Sequence, residues 1–189
     1  MSCIPLEKCP QARKSVTCSR SFGVLIETLK ELREAVAAYM TKAAERLRRS
    51  RLAAGGVTVF ITTSRFDPGP QYSNSFTSEL AYSTDSTEEL LAWALKGLER
   101  IYLPGYRYKK AGVMLNRLTP ADGLSMRFFG DEQFEKSRRV MRAVDEINSR
   151  FGRDTVRFGA ARPGGRWETK FLRRSRRYTT CLGEVLRIA

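Results

Sequence analysis

The chain contains no histidine, and that absence removes whole classes of chemistry. Ser-His-Asp and Cys-His nucleophile sites cannot be assembled without an imidazole base. Cysteine is also scarce: Cys3, Cys9, Cys18 and Cys181 form no Cys-x-x-Cys pair. A zinc site would need all four thiolates at irregular spacing, so reduced structural or incidental thiols are the simpler reading. No apolar run approaches the roughly 20 residues of a membrane span. The N-terminus, Met1-Ser2-Cys3-Ile4-Pro5, lacks a basic stretch followed by an apolar one. No signal peptide is read, and a cytosolic protein is expected.

Acidic residues are the minority charge. Against 34 Lys+Arg stand 20 Asp+Glu, a net charge of +14 over 189 residues. Asp67, Asp85, Glu88, Glu89, Asp122 and Asp131 are scattered. A carboxylate-held Mg²⁺ stays open in principle, but Glu88 and Glu89 fit the first turn of a helix better. No cofactor is expected. The cationic excess points to a polyanionic partner, reached by long-range attraction and counterion release. A hydrophobic content of 42% supplies a core, and the length fits one large or two small domains.

Along the chain, residues 1–13 carry Pro5 and Pro10 without a clear period and read as a linker or leading segment. Lys14 to Cys18 alternate in the manner of a half-buried strand and run into the basic, hydroxyl-rich turn Ser19-Arg20-Ser21-Phe22-Gly23. Hydroxyls, a guanidinium and open N–H groups are the means by which phosphate backbones are held. A long helix follows, opened by a capping box at Thr28 and Glu31. Its stripe runs Leu25, Leu29, Leu32, Val36, Tyr39, Ala43, Leu47, and Gly55-Gly56 closes it. The opposite face carries Lys30, Arg33, Lys42, Arg46, Arg48 and Arg49, a pattern that also suits plain solvation. Val57 to Phe66 is β-branched and unbroken, a strand. Asp67-Pro68-Gly69-Pro70 turns it, and Gln71 to Tyr82 is a second extended segment rich in hydroxyls. Ser86 and Glu89 cap a second helix that Pro104-Gly105 stops. Tyr106 to Leu115 is a last strand, in which Gly112 marks a bulge or a close backbone approach.

Strand, helix, strand, strand, helix, strand is the split βαββαβ arrangement: an α+β domain with a four-stranded sheet and two helices on one face. Alternation puts Thr58, Thr62 and Ser64 on the uncovered face, away from Val57, Val59 and Ile61.

Ser19-Arg20-Ser21-Phe22-Gly23, Phe60-Ile61-Thr62-Thr63-Ser64-Arg65-Phe66 and Tyr106-Arg107-Tyr108-Lys109-Lys110-Ala111-Gly112-Val113-Met114-Leu115, in that order, resemble the little-finger domain of UmuC-like Y-family translesion DNA polymerases. Trp167, Ser175 to Thr180 and Val185-Leu186-Arg187 resemble the domain that ends UmuC proteins. The resemblance implies a little finger at 14–120, a linker at 121–132 and a small basic α+β domain at 133–189. It implies a grip on primer–template duplex through the sugar–phosphate backbone, in error-prone repair synthesis under the SOS response. The DNA-binding residues so implied are Ser19, Arg20, Ser21, Thr62, Ser64, Arg65, Arg107, Lys109 and Lys110. Ser125-Met126-Arg127-Phe128-Phe129 stands where the family carries a sliding-clamp peptide; Ser125 replaces its usual Gln, and Met126, Phe128 and Phe129 would fill an apolar pocket. A UmuD-type subunit, a RecA-type filament and a nucleoid location are implied by the resemblance alone. Palm, fingers and thumb have no counterpart here, so no polymerase active site is expected in this chain.

Gln133 to Phe151 reads as a third helix with Phe134, Ser137, Val140, Met141, Val144, Ile147 and Phe151 on one side, ended by Gly152. Thr155-Val156-Arg157-Phe158 reads as a short strand. Residues 153–189 hold ten Arg+Lys and three Asp+Glu, a charge of +7. Lys170, Arg173, Arg174, Arg176 and Arg177 interleave with Trp167, Phe171 and Tyr178, a pairing suited to single-stranded nucleic acid or to a solvated loop over a small aromatic core. Three further readings compete with DNA gripping: a protein–protein adaptor for the clamp or for polymerase V partners, a ribosomal-type RNA binder, and a nuclease.

Overall fold

The computed structural model describes residues 13–121, 132–161, 164–169, 175–181, 183 and 185, with backbone alone at 132–134. Seven elements follow in order: β1 (Val16–Ile26), α1 (Leu29–Arg49), β2 (Leu52–Thr63), β3 (Ser73–Thr84), α2 (Thr87–Ile101), β4 (Tyr108–Pro120) and α3 (Glu132–Phe151). The first six form the expected βαββαβ domain. Its sheet runs β1-β4-β2-β3 with every neighbouring pair antiparallel.

Local chemistry starts and stops the helices where their caps lie. Thr28 Oγ1 accepts the Glu31 N–H at 3.3 Å and donates to Glu31 Oε2 at 2.7 Å. Ser86 Oγ accepts the Glu89 N–H at 3.5 Å. Each cap satisfies one of the orphan donors of a first turn. The end of α1 lies earlier than the glycine pair suggests. Ser50 donates to the Arg46 and Leu47 carbonyls, Arg51 turns left-handed at φ 54°, and β2 has begun by Leu52. Gly55 and Gly56 therefore lie inside β2, and a Cβ on Gly56 would meet Asn116 Oδ1 at 2.0 Å. Leu25 belongs to β1, not to the stripe of α1. Ser19 to Gly23 is continuous strand rather than a turn, because β1 runs on to Ile26.

Alternation then builds the core. Val16, Cys18 and Phe22 of β1, Ala111, Val113 and Leu115 of β4, and Val57, Val59 and Ile61 of β2 are buried in one cluster. Leu32, Val36, Tyr39, Met40 and Leu47 of α1 and Leu90, Ala94, Leu98 and Ile101 of α2 close over them. Each Val, Leu, Ile, Phe or Met among them contributes on the order of 1.5–3 kcal/mol by leaving water. Both helices lie on this side.

The C-terminal region departs from the sequence reading in two ways. Residues 155–158 form no strand. The Asn148 side chain takes the place of a strand partner instead: Oδ1 accepts the Val156 N–H at 2.8 Å and Nδ2 donates to the Val156 carbonyl at 3.0 Å. Among the described residues beyond Gly152 there is no strand at all. Trp167 does not seed an aromatic core of a separate domain. It is buried in the core of the sheet domain, edge-on to Tyr39 at 5.7 Å between centroids. Gly23 N–H reaches the Trp167 carbonyl at 3.4 Å, and Thr169 Oγ1 donates to the Ser21 carbonyl at 2.9 Å. Gly152 does end α3, at φ 109°. No helix among the described residues is long and apolar enough to cross a membrane.

Candidate nucleic-acid interface

The side of the sheet turned away from α1 and α2 is set by the register. Phe60 stands opposite Gly112 and Ser75, and Gly112 opposite Ser19. Thr62 stands opposite Lys110 and Ser73, and Lys110 opposite Ser21. Thr58 stands opposite Met114 and Thr77, and Met114 opposite Thr17. The face thus reads, from edge to edge, Thr17, Ser19, Ser21; Lys110, Gly112, Met114; Thr58, Phe60, Thr62; Ser73, Ser75, Thr77. Eight of these twelve are Ser or Thr. Small hydroxyls keep the surface flat and donate hydrogen bonds without a base code. Among the described residues, no helix covers it.

The expected hydroxyls are mostly where alternation puts them. Ser19, Ser21 and Thr62 lie on this face. Thr58 does too, but it is buried by its neighbours: its hydroxyl bonds Thr77 Oγ1 at 2.8 Å and accepts from Asn116 Nδ2 at 2.9 Å. Ser64 falls beyond the end of β2, where its hydroxyl accepts the Phe66 N–H at 3.3 Å. Arg65 is exposed in the same turn.

The cations divide. Lys110 stands on the uncovered face with its Nζ 5.8 Å from the Phe60 ring centroid. Lys109, next to a register shift between Thr62 and Thr63, instead donates from Nζ to the Phe22 carbonyl at 2.8 Å. Arg107 is held by Asp67, with Nε 3.2 Å from Oδ2 and a second, shorter bond from Nη2. This guanidinium, bonded to Oδ2, holds the Asp67 carboxyl below the usual range, aided by the Gly69 N–H. Arg20 has the opposite parity to Ser19 and Ser21. It pairs with Ala111, a core residue, so the three do not form one cluster. Arg20 belongs with Lys42 and Arg46 of α1. All three act on the Cys18 thiol, whose pKa is nevertheless pushed up by burial. Because β1 is an edge strand, they make a basic rim beside the face, not part of it.

Two features escape sequence reasoning. Phe60, unremarkable in a β-branched run, is the aromatic centre of the face, and only its register with Gly112 reveals that. Lys42 and Arg46 read as a solvated helix face until the edge strand brings Arg20 beside them. Residues 125–129, with Met126, Phe128 and Phe129, lie outside the described residues, as do Lys170, Arg173 and Arg174. Arg176 and Arg177 are described and exposed. Among the described residues, no group of three or more Cys, Asp or Glu is arranged to hold a metal ion.

The chain belongs to the impB/mucB/samB family: residues 13–128 match the model of its C-terminal domain. Residues 138–188 match a separate family described as a domain of unknown function, DUF4113. Relatives include protein SamB of Salmonella typhimurium, 36% identical over 97% of this chain and 44% of its own length. Protein ImpB of the same organism is 37% identical over 95% of this chain and 42% of its length. Its protein UmuC is 32% identical over 98% of this chain and 44% of its length. The chain therefore spans less than half the length of these curated relatives. Among solved structures, a Y-family DNA polymerase chimera superposes with a TM-score of 0.48 and 14% identity, over 57% of this chain and 29% of that one. The little finger in a complex of the beta-clamp processivity factor with that domain of PolIV gives 0.40 and 17%, over 56% of this chain and 90% of that one.

Proposed function

We propose that the sheet domain is the duplex-gripping module of a UmuC-like translesion polymerase, and that it holds primer–template DNA by the sugar–phosphate backbone. The observation that supports this most is the uncovered face itself: a level field of hydroxyls with Lys110 over Phe60 at its centre, rimmed by Arg20, Lys42 and Arg46. Hydroxyls donate to phosphate oxygens, and the cations displace condensed counterions. Such contacts carry little sequence information, so binding is insensitive to base order. Arg107 and Lys109, already engaged by Asp67 and the Phe22 carbonyl, shape the end of the sheet and contribute less. The module performs no polymerase chemistry of its own. The clamp peptide at 125–129, a UmuD-type subunit and a RecA-type filament belong to this reading through family resemblance. Nucleoid association would follow from DNA binding.

The test is duplex binding by the full chain, followed by fluorescence anisotropy across a salt series with two unrelated sequences. Equal affinities and a steep, shared salt slope support backbone gripping. A strong preference for one sequence, or for structured RNA over duplex, overturns it.

A further inference from the structure

Helix α3 leaves part of its apolar stripe turned away from the sheet domain. Polar bonds tie it to the sheet domain. Asp145 bonds Arg48 with Oδ2 to Nε at 2.6 Å and Oδ1 to Nη2 at 2.8 Å. Ser137 Oγ lies 3.4 Å from Ser86 Oγ. Of the apolar residues that share the expected stripe, Met141 is buried, whereas Val140 is 48% exposed, Ile147 36% and Phe151 67%. Val140, Val144, Ile147 and Phe151 recur at intervals of four, three and four, which aligns them in one row along the helix. Val144 is half-buried and the other three are exposed; an apolar row of three turns left largely open to water is the mark of a surface that another helix covers.

The flanking charge selects the occupant. Lys136, Arg139 and Arg150 border the row on one side, with Glu146 the one acid among them and the neutral Ser137 and Asn148 on the other, and the Arg150 guanidinium lies 5.4 Å from the Phe151 ring centroid. A second copy of this chain would set these cations against their own kind. The chain's own residues 153–189, at +7, would do the same. We infer that the exposed row of α3 is a docking surface for an amphipathic helix of another protein whose apolar stripe carries Asp and Glu along the side that meets Lys136, Arg139 and Arg150. This inference stands apart from the duplex-gripping reading and survives its failure.

The test uses the full chain and two synthetic helical peptides of identical composition. One carries Leu at heptad a and d positions with Glu on both flanks; the other has the same residues scrambled to disperse the Leu. In fluorescence anisotropy the striped peptide is expected to bind at least about tenfold more tightly than the scrambled one. The double variant Ile147→Ser/Phe151→Ser is expected to erase that difference while its melting temperature stays within a few degrees of wild type. Equal binding of the two peptides overturns the inference, since charge alone would then be read. So does a dimer by sedimentation at micromolar concentration that the double variant abolishes, or strong hydrogen-exchange protection of the row's side of α3 in the free monomer that is lost on removing residues 170–189.

Discussion

The ring of Phe60 reaches across Gly112: a Cβ at position 112 would stand 2.3 Å from Phe60 Cζ and 2.4 Å from Ser19 Cβ. The glycine thus seats the aromatic centre of the uncovered face between β1 and β2. Ser19 Cβ is fixed by its backbone and cannot yield. Gly112→Ala is therefore expected to destabilise the domain by about 1–3 kcal/mol, the usual cost of overpacking, and to weaken duplex binding. Gly56→Ala meets only the side-chain amide of Asn116, which can swing aside at the cost of its bond to Thr58, and should cost less. Urea titration of the two variants checks the order, and equal midpoints would contradict it.

The pair Arg48–Asp145 joins α1 to α3 across 97 residues of sequence, with the two side chains 10% and 29% exposed. Arg48 Nη1 also donates to the Asp85 carbonyl at 3.0 Å and to Thr87 Oγ1 at 2.7 Å. Removing the carboxylate leaves a largely buried guanidinium short of its acceptor. Asp145→Ala should cost about 1.5–3 kcal/mol, the range for hydrogen bonds to charged groups. Hydrogen exchange in α3 should accelerate well before global unfolding. Unchanged exchange in α3 would show that the pair does not hold the helix.

Asp67 supplies a pH dependence of definite sign. Its folded-state pKa is lowered by the bond from Arg107. The group therefore adds stability that is complete above the unfolded carboxylate value, about 3.9, and is lost as pH falls through the lowered folded value. Carboxyl ¹³C titration should place Asp67 below ordinary aspartates, and Arg107→Gln should return it toward them. A normal titration in wild type would contradict the pairing.

What could be read from the sequence was what neighbours in the chain decide. The caps at Thr28 and Ser86, the hairpin around Asp67 to Pro70 and the alternation of Val57, Val59 and Ile61 all follow from residues within a few positions of one another. The misreadings share a cause. Gly55-Gly56 reads as a helix end because the left-handed turn at Arg51 has no glycine to announce it. Residues 155–158 read as a strand, yet Val156 bonds to the side chain of Asn148 rather than to a ladder. Arg20 lies between two serines in sequence, yet its pairing with Ala111 puts it on the other side of the sheet. Trp167 and the outward row of α3 depend on packing between distant segments, which no local pattern encodes.

Arg107, Lys109 and Lys110 should not be equivalent. Arg107→Ala and Lys109→Ala disturb groups already engaged by Asp67 and the Phe22 carbonyl, so their main effect is expected on the stability of that end of the sheet. Thermal melts combined with binding at fixed salt separate the two. A larger binding loss for Arg107→Ala than for Lys110→Ala would reverse the assignment.

The most direct test of the duplex-gripping face is the salt slope of DNA binding by Lys110→Gln. One phosphate contact fewer should lower the slope of log K against log salt by about 0.9, by the same amount on two unrelated sequences, with the fold intact. An unchanged slope, with affinity equal to wild type, would show that DNA does not meet this face of the sheet.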